Sequence, residues 1–375
     1  MSERKRLEVG TAPLFLGALV ALVTLAVLWC PQTGLGEDED KPRERPASRI
    51  DNQEITKETE AATKRGLSWL AAQQKENGSF GDRNVLAVTS LAGIAFLASG
   101  SHPNRGPYAN EVRGALEYVL KAQDLQGLIT DDRMYTHGFA TLFLAELWGM
   151  TPSLHGKETV RRALAEAVSF LERIQLPSGG WYYYPNTNSN NSDISVTICE
   201  IMALRAARNA GISVDGECIQ RARACVKNAF YPNSGGFAYR VFDDGLKSGG
   251  HAFPRTAAGV CILYYLGDYE AEEVRLGIDY LLARKPGPGL ESRDRYYEYF
   301  YFYGMYYATQ AMYQAGGRYW EAWFPAVRRD ILSRRDPRTG IWRHPGGHTS
   351  NPVYATAMAL ITLQLPNRLL PILQR

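Results

Sequence analysis

The feature that most constrains this chain is a unit that recurs six times between about Ala61 and the C-terminus. Each copy has an amphipathic helix, a glycine-rich turn ending in an aromatic or apolar residue, a polar loop, and a second, more apolar helix. The pattern predicts first helices near Ala61–Gln74, Glu111–Gln123, Thr159–Gln175, Glu217–Phe230, Ala271–Arg284 and Glu321–Arg335. The turns follow as Gly78-Ser79-Phe80, Gly127-Leu128-Ile129, Gly179-Gly180-Trp181, Gly235-Gly236-Phe237, Gly287 to Leu290, and Gly340-Ile341-Trp342. The second helices fall near Val85–Ala98, His137–Trp148, Ile194–Ala210, Pro254–Leu266, Tyr297–Ala315 and Pro352–Gln364.

The two helices of a pair differ in polarity. The first carries charge on one face, as in Arg161, Arg162, Glu166, Glu172 and Arg173, whereas the second is nearly free of charge. One set must therefore face water while the other is enclosed. Twelve helices alternating in this way close as a double ring with the charged set outside. An open solenoid would need polar caps at its ends, and the final copy, followed by Leu369, Leu370 and Ile372, has none. The expected fold class is all-α, an (α/α)6 toroid over residues 58–375.

The string Gln-x-x-x-Gly-x-aromatic occurs at Gln74 to Phe80 and Gln175 to Trp181, with a degenerate copy from Gln123 to Ile129. It resembles the repeat of squalene and oxidosqualene cyclases, which protein prenyltransferase β subunits share in looser form. The stretches Met134 to Leu142, Asp193 to Thr197 and Tyr354 to Leu360 are similar to bacterial prenyltransferase/squalene oxidase repeat proteins. The resemblance spans residues 61–375 and implies an α/α toroid with a central apolar cavity. It leaves activity open, because a fold does not fix a function.

In such a ring every inner helix begins at one end, so the positive N-termini converge on a single mouth. The polar groups expected there are Asp131, Asp132, His137, Asp193, Asp243, Asp244, His251, Arg255, Glu298, Tyr299, Tyr303, His344 and His348, with aromatic walls from the run Tyr296–Tyr307. The candidates for ligand contact are His137, Asp193, His251, Arg255, Tyr299, Tyr303 and His348. His137 and Asp193 stand foremost, each at the start of an apolar helix beside small residues. Asp193 reads equally as a helix N-cap, since Ser192-Asp193-x-Ser195 is a capping pattern.

Known toroid chemistries are only partly matched. The Asp-x-Asp-Asp string of squalene-hopene cyclases is absent, and so is the Asp-x-Cys spacing of the prenyltransferase zinc site. A substitute metal set from His137, His251, His348 and Asp193 is the alternative, against histidines that cap helices; no metal or cofactor is expected. A carboxylate pair of glycosidase type could be read from Asp193 with Asp243 or Glu298. A thioester domain is excluded, because no Cys-Gly-Glu-Gln occurs. The expected ligand is an apolar or isoprenoid-like molecule, or a peptide, in the lumen. The alternatives are a diverged terpene cyclase or prenyltransferase-like enzyme, and a scaffold that uses its outer helices for partners. A net charge of +3, with bases and acids interspersed, argues against nucleic acid.

Ahead of the repeats, Arg4, Lys5 and Arg6 precede an uncharged apolar stretch from Thr11 to Trp29. This is the order of a secretory signal, with Gly34 and Gly36 placed for cleavage. Residues 12–29 also approach the length of a membrane anchor. Residues 1–36 are thus expected to export or tether the chain, and 37–57, charged and proline-containing, to form a disordered linker. Cys218 and Cys225 lie too far apart along one helix to bridge, and Cys199 and Cys261 read as buried hydrophobes.

Overall fold

A computed structural model of the chain describes residues 54–151, 157–287, 295–343 and 351–374. Six pairs of helices follow one another: α1 (Lys57–Ala71) and α2 (Val85–Ala98), α3 (Ala109–Lys121) and α4 (Met134–Met150), α5 (Lys157–Ile174) and α6 (Ile194–Asn209). Then come α7 (Gly216–Asn228) and α8 (Phe253–Tyr265), α9 (Glu272–Leu282), the short α10 (Arg295–Tyr299) and α11 (Tyr301–Ala315), and α12 (Gly317–Ser333) and α13 (Pro352–Gln364). The chain is the all-α (α/α)6 toroid that the repeats predict. Residues 1–53, including the expected signal or anchor at 12–29, lie outside the described residues. Among the described residues no helix is long and apolar enough to cross a membrane. Order reaches back into the segment expected as linker: Trp320 Nε1 donates to Glu54 Oε1 at 2.6 Å, and Arg328 Nη1 to Glu54 O at 2.9 Å.

The helices α2, α4, α6, α8, α11 and α13 form the inner ring, each packed on the next, with α13 returning to α2. Their buried faces run nearly all round, as expected for helices enclosed on every side. Two contacts show the closure directly. Gln364 Nε2 in the last inner helix donates to Ala95 O in the first at 3.1 Å. Gly66 of α1 lies so close to Leu360 and Trp342 that a Cβ there would stand 2.9 Å from each.

The turn motif is the bolt between neighbouring repeats. Gly179 has φ +91°, and a Cβ on it would meet Arg221 O of the following outer helix at 2.3 Å, so both conformation and space demand glycine. Gln175 Nε2 donates to Gly179 O at 2.7 Å and to Cys218 O on α7 at 2.8 Å. Gln74 and Gln123 do the same for their turns, reaching Glu111 O and Ala163 O. The aromatic residue then buries itself, and its backbone N–H donates to a threonine one turn into the inner helix. These bonds are Phe80 to Thr89 (2.9 Å), Trp181 to Thr197 (3.0 Å), Phe237 to Thr256 (3.2 Å) and Trp342 to Thr356 (3.2 Å).

A small antiparallel sheet, which helical periodicity did not foretell, interrupts the third and fourth repeats. Strands β1 (Asn191–Asp193), β4 (Arg240–Phe242) and β5 (Lys247–Ser248) pair in that order, with Asp193 opposite Arg240. A second pair joins β2 (Phe230–Tyr231) to β3 (Gly236–Phe237). At the far end, Pro371–Leu373 forms a 3-10 turn packed on α4 and α6. Its Ile372 N–H donates to both carboxyl oxygens of Glu146, at 3.1 and 3.2 Å.

Candidate functional site

The mouth of the ring is organised around Asp193. Strand β1 delivers it and helix α6 starts directly after it, so its carboxylate caps the helix. Oδ1 accepts from Ser195 N (3.0 Å), Val196 N (3.2 Å) and Ser195 Oγ (2.6 Å). Oδ2 is buried and has no partner within hydrogen-bonding distance. The Tyr239 hydroxyl interacts with the carboxyl and favours its charged form. Burial outweighs these donors and moves the Asp193 carboxyl above the usual aspartate value. Capping and site geometry therefore coexist: one oxygen holds the helix and the other is left over.

Four tyrosines surround this carboxyl. Tyr135 from the first turn of α4 bonds Ser195 Oγ at 2.6 Å. The Ser195 proton goes to Asp193, so the order is Tyr135 to Ser195 to Asp193. Tyr303 of α11 donates to Ser195 O at 3.1 Å. Tyr183 and Tyr239 share a hydroxyl–hydroxyl bond of 2.8 Å. The Asp193 charge raises the pKa of all four tyrosines on top of the effect of burial, which places their hydroxyls within its field. Arg133 lies over the rings of Tyr183 and Tyr184, and Arg255 over those of Tyr239 and Tyr296.

Below the mouth, α11 reaches across the ring to α6, two helices away. Tyr307 OH meets Cys199 Sγ at 3.2 Å, and Tyr306 OH meets Met202 Sδ at 3.5 Å. These side chains cross the centre, so the tyrosine run fills the lumen as well as walling it. Glu200, on α6 below Asp193, is fully buried with neither carboxyl oxygen bonded, and burial pushes it well above the usual glutamate range. It lies against Gly138, whose missing side chain makes the room. Tyr301, in the same run, turns outward instead and donates to Asp330 of α12.

The expected site residues separate into two groups. Asp193 and Tyr303 meet at Ser195, and Arg255 lies over Tyr239 beside them. His137 does not join them. Its Nδ1 accepts from Ile129 N at 3.0 Å and its Nε2 donates to Ala167 O at 3.2 Å, so it fills in repeat two the place that threonine fills elsewhere. Full burial lowers its pKa to about 4, as a neutral clamp requires. His251 is exposed and turns towards the outer helix, its Nδ1 3.3 Å from Tyr280 OH. Tyr299 is 36% exposed and packs edge-on to Phe300. His348, with His344, lies outside the described residues. Asp131 and Asp243 accept backbone N–H groups of Leu86 and Ser178, and Glu298 pairs with Arg334 at 2.8 Å. Among the described residues no three His, Cys, Asp or Glu side chains are grouped to hold a metal ion.

Reasoning from the sequence missed Tyr135, Tyr183, Tyr239, Ser195 and Arg240. The available signal was positional: each lies within a few residues of a turn motif or of an inner-helix start, where the mouth was expected.

No family model matches the chain, and no curated protein matches it. Solved structures do. A D-mannose isomerase superposes with a TM-score of 0.60 at 12% identity, covering 84% of this chain and 98% of that one. A family 76 glycoside hydrolase (mannosidase) from Bacteroides thetaiotaomicron gives a TM-score of 0.61 at 9% identity, over 83% and 98%. The apo type II terpene cyclase MstE from Scytonema gives 0.55 at 14% identity, over 84% and 100%. The chain is thus an α/α toroid similar in fold to terpene cyclases and to sugar-acting hydrolases and isomerases, and at these identities the likeness is one of fold alone.

Proposed function

We propose that this chain is an exported or membrane-tethered toroid that receives an apolar or isoprenoid-like ligand, or a peptide, at its tyrosine-lined mouth. Residues 1–36 would carry the export signal or, through 12–29, the tether. One observation carries the reading: a buried carboxyl with an unbonded Oδ2 sits among four tyrosines at the converging helix N-termini. Apolar ring faces supply contact area there, and hydroxyls supply orientation. The tyrosines that cross the centre and the tail that caps the far end favour binding at the mouth over binding deep in the lumen. An outer-helix scaffold gains less support. Among the described residues the exposed large hydrophobics Leu125, Tyr184, Leu246, Tyr269, Tyr299 and Leu369 lie in loops, in α10 or in the tail.

Native mass spectrometry of the full chain purified from its own membranes tests this. Wild-type protein should retain a small molecule or peptide that Tyr183→Ala and Tyr239→Ala release. A ligand-free mass under every extraction condition would contradict it.

A second reading, a diverged cyclase or prenyltransferase-like enzyme, is favoured by the two unlike oxygens of Asp193. Three donors on Oδ1 stabilise the conjugate base, while Oδ2, beside the Tyr239 hydroxyl, is left to carry the proton, which is how a general acid is prepared. Asp193→Asn keeps the cap and removes the acid. Under this reading the variant still folds and binds but leaves the retained molecule unconverted.

A further inference from the structure

Two arginines stand over one tyrosine at the mouth with no carboxylate of their own. Arg240 lies 5.2 Å and Arg255 5.3 Å from the centre of the Tyr239 ring. Among the described residues neither makes an ion pair, although Arg240 is directly opposite Asp193 in the β1–β4 ladder. Arg255 Nη2 donates only to the loop carbonyls of Gly249 and Gly250, at 3.1 and 3.3 Å. Both residues are half-buried, and each keeps a buried Nε–H without an acceptor. Some arginines of the ring are paired, such as Arg133 with Asp132 and Arg334 with Glu298 and Asp330. Arg205 and Arg335 also keep an unbonded buried Nε–H, so what sets Arg240 and Arg255 apart is that both lie over one ring.

The local backbone breaks a rule in the same direction. Arg255 occupies the first turn of α8, where the helix dipole disfavours a cation. The N-cap position of that helix is Ala252, which offers no capping side chain. Its positive end is therefore uncapped and made more positive, and local conflicts of this kind are expected where function has claimed the residues. The unbonded Oδ2 of Asp193 faces the same tyrosine cluster. Burial shifts its carboxyl towards the neutral form, which repels an anion less.

We infer that the mouth binds the terminal oxyanion, carboxylate or phosphate, of a ligand whose apolar body lies against the tyrosines, with Arg240 and Arg255 gripping the anion over Tyr239. A guanidinium over an aromatic ring presents its remaining N–H groups to such an anion: Arg240 can offer two parallel bonds, and Arg255, whose Nη2 serves Gly249 and Gly250, single ones. This deepens the ligand-binding reading above and rests on it.

The test uses the full chain in isothermal titration calorimetry with decyl phosphate, decanoate and decanol. One or both anions should bind at least about tenfold more tightly than decanol. Arg240→Gln and Arg255→Gln should each remove most of that excess while leaving decanol unchanged, with unaltered melting temperatures showing that the fold is kept. Which anion binds separates a phosphate head from a carboxylate. Equal binding of decanol and both anions, or anion binding that survives the double substitution, would overturn the inference while sparing the mouth as a ligand site. Absence of binding by all three would overturn both.

Discussion

At the residue scale, His137 and Asp193 looked alike in sequence and do different work in the structure. Both precede small residues at the start of apolar inner helices. His137, however, sits where four other repeats place a threonine, and so it takes the turn amide of Ile129. Replacing it with alanine leaves that buried N–H without an acceptor and opens a void; a loss of about 3 kcal/mol should appear in chemical denaturation. Its depressed pKa fixes a sign. The folded state prefers neutral histidine, so its contribution is complete above about pH 6.5 and is lost as pH falls towards 4. His137→Thr should flatten that part of the stability profile. The sequence held the information that separates the two residues, in the spacing between each turn aromatic and its inner-helix partner. That spacing varies from 8 to 19 residues with loop length, which hides the equivalence from periodicity.

At the scale of elements, the helices were almost fully legible, because charge on one set and its absence on the other report enclosure without knowledge of the partner. The turn motif was legible as a recurring string, though not for what it joins. Gln175 bridges its own turn and a carbonyl inside the next outer helix. Gln175→Ala should therefore cost about 2 kcal/mol, since two buried carbonyls lose their donor. Gly179→Ala should cost more and is expected to lower soluble yield, because the backbone of Arg221 cannot move away from a Cβ as a side chain can. Thermal melts of the two variants side by side would reverse this ranking if the motif only shaped the turn. The β1–β4–β5 sheet was not read from the sequence: its strands are two or three residues long, too short for alternation, and although Asp244-Gly245 marks the β4–β5 hairpin, β1 joins it from the preceding repeat.

At the scale of the molecule, closure places a mouth at one end and the C-terminal tail at the other. The tail is held through Glu146, a wholly buried carboxyl whose pKa burial raises to about 8. The folded state thus prefers the acid form, and stability falls as pH rises from the ordinary glutamate range towards 8. Glu146→Gln, which can still accept from Ile372, should remove that loss and be more stable than wild type by a few kcal/mol above pH 8. Hydrogen exchange at Ile372, faster in wild type than in the variant at high pH, reports the same effect locally. Equal pH profiles for the two proteins would show that the tail is held by its apolar contacts alone. None of this followed from the sequence, since Glu146 reads there as a lone charge in an apolar helix.

The central claim is that Asp193 is at once a helix cap and the available acid of a tyrosine-lined mouth. It is tested most directly by titrating the Asp193 carboxyl itself, through the isotope-edited infrared difference between wild type and Asp193→Asn across pH. The account predicts a protonated-carboxyl band that disappears in the variant and titrates above the ordinary aspartate value of about 3.9. A midpoint at or below that value would mean that the donors on Oδ1 outweigh burial. Asp193 would then be a charged helix cap and nothing more.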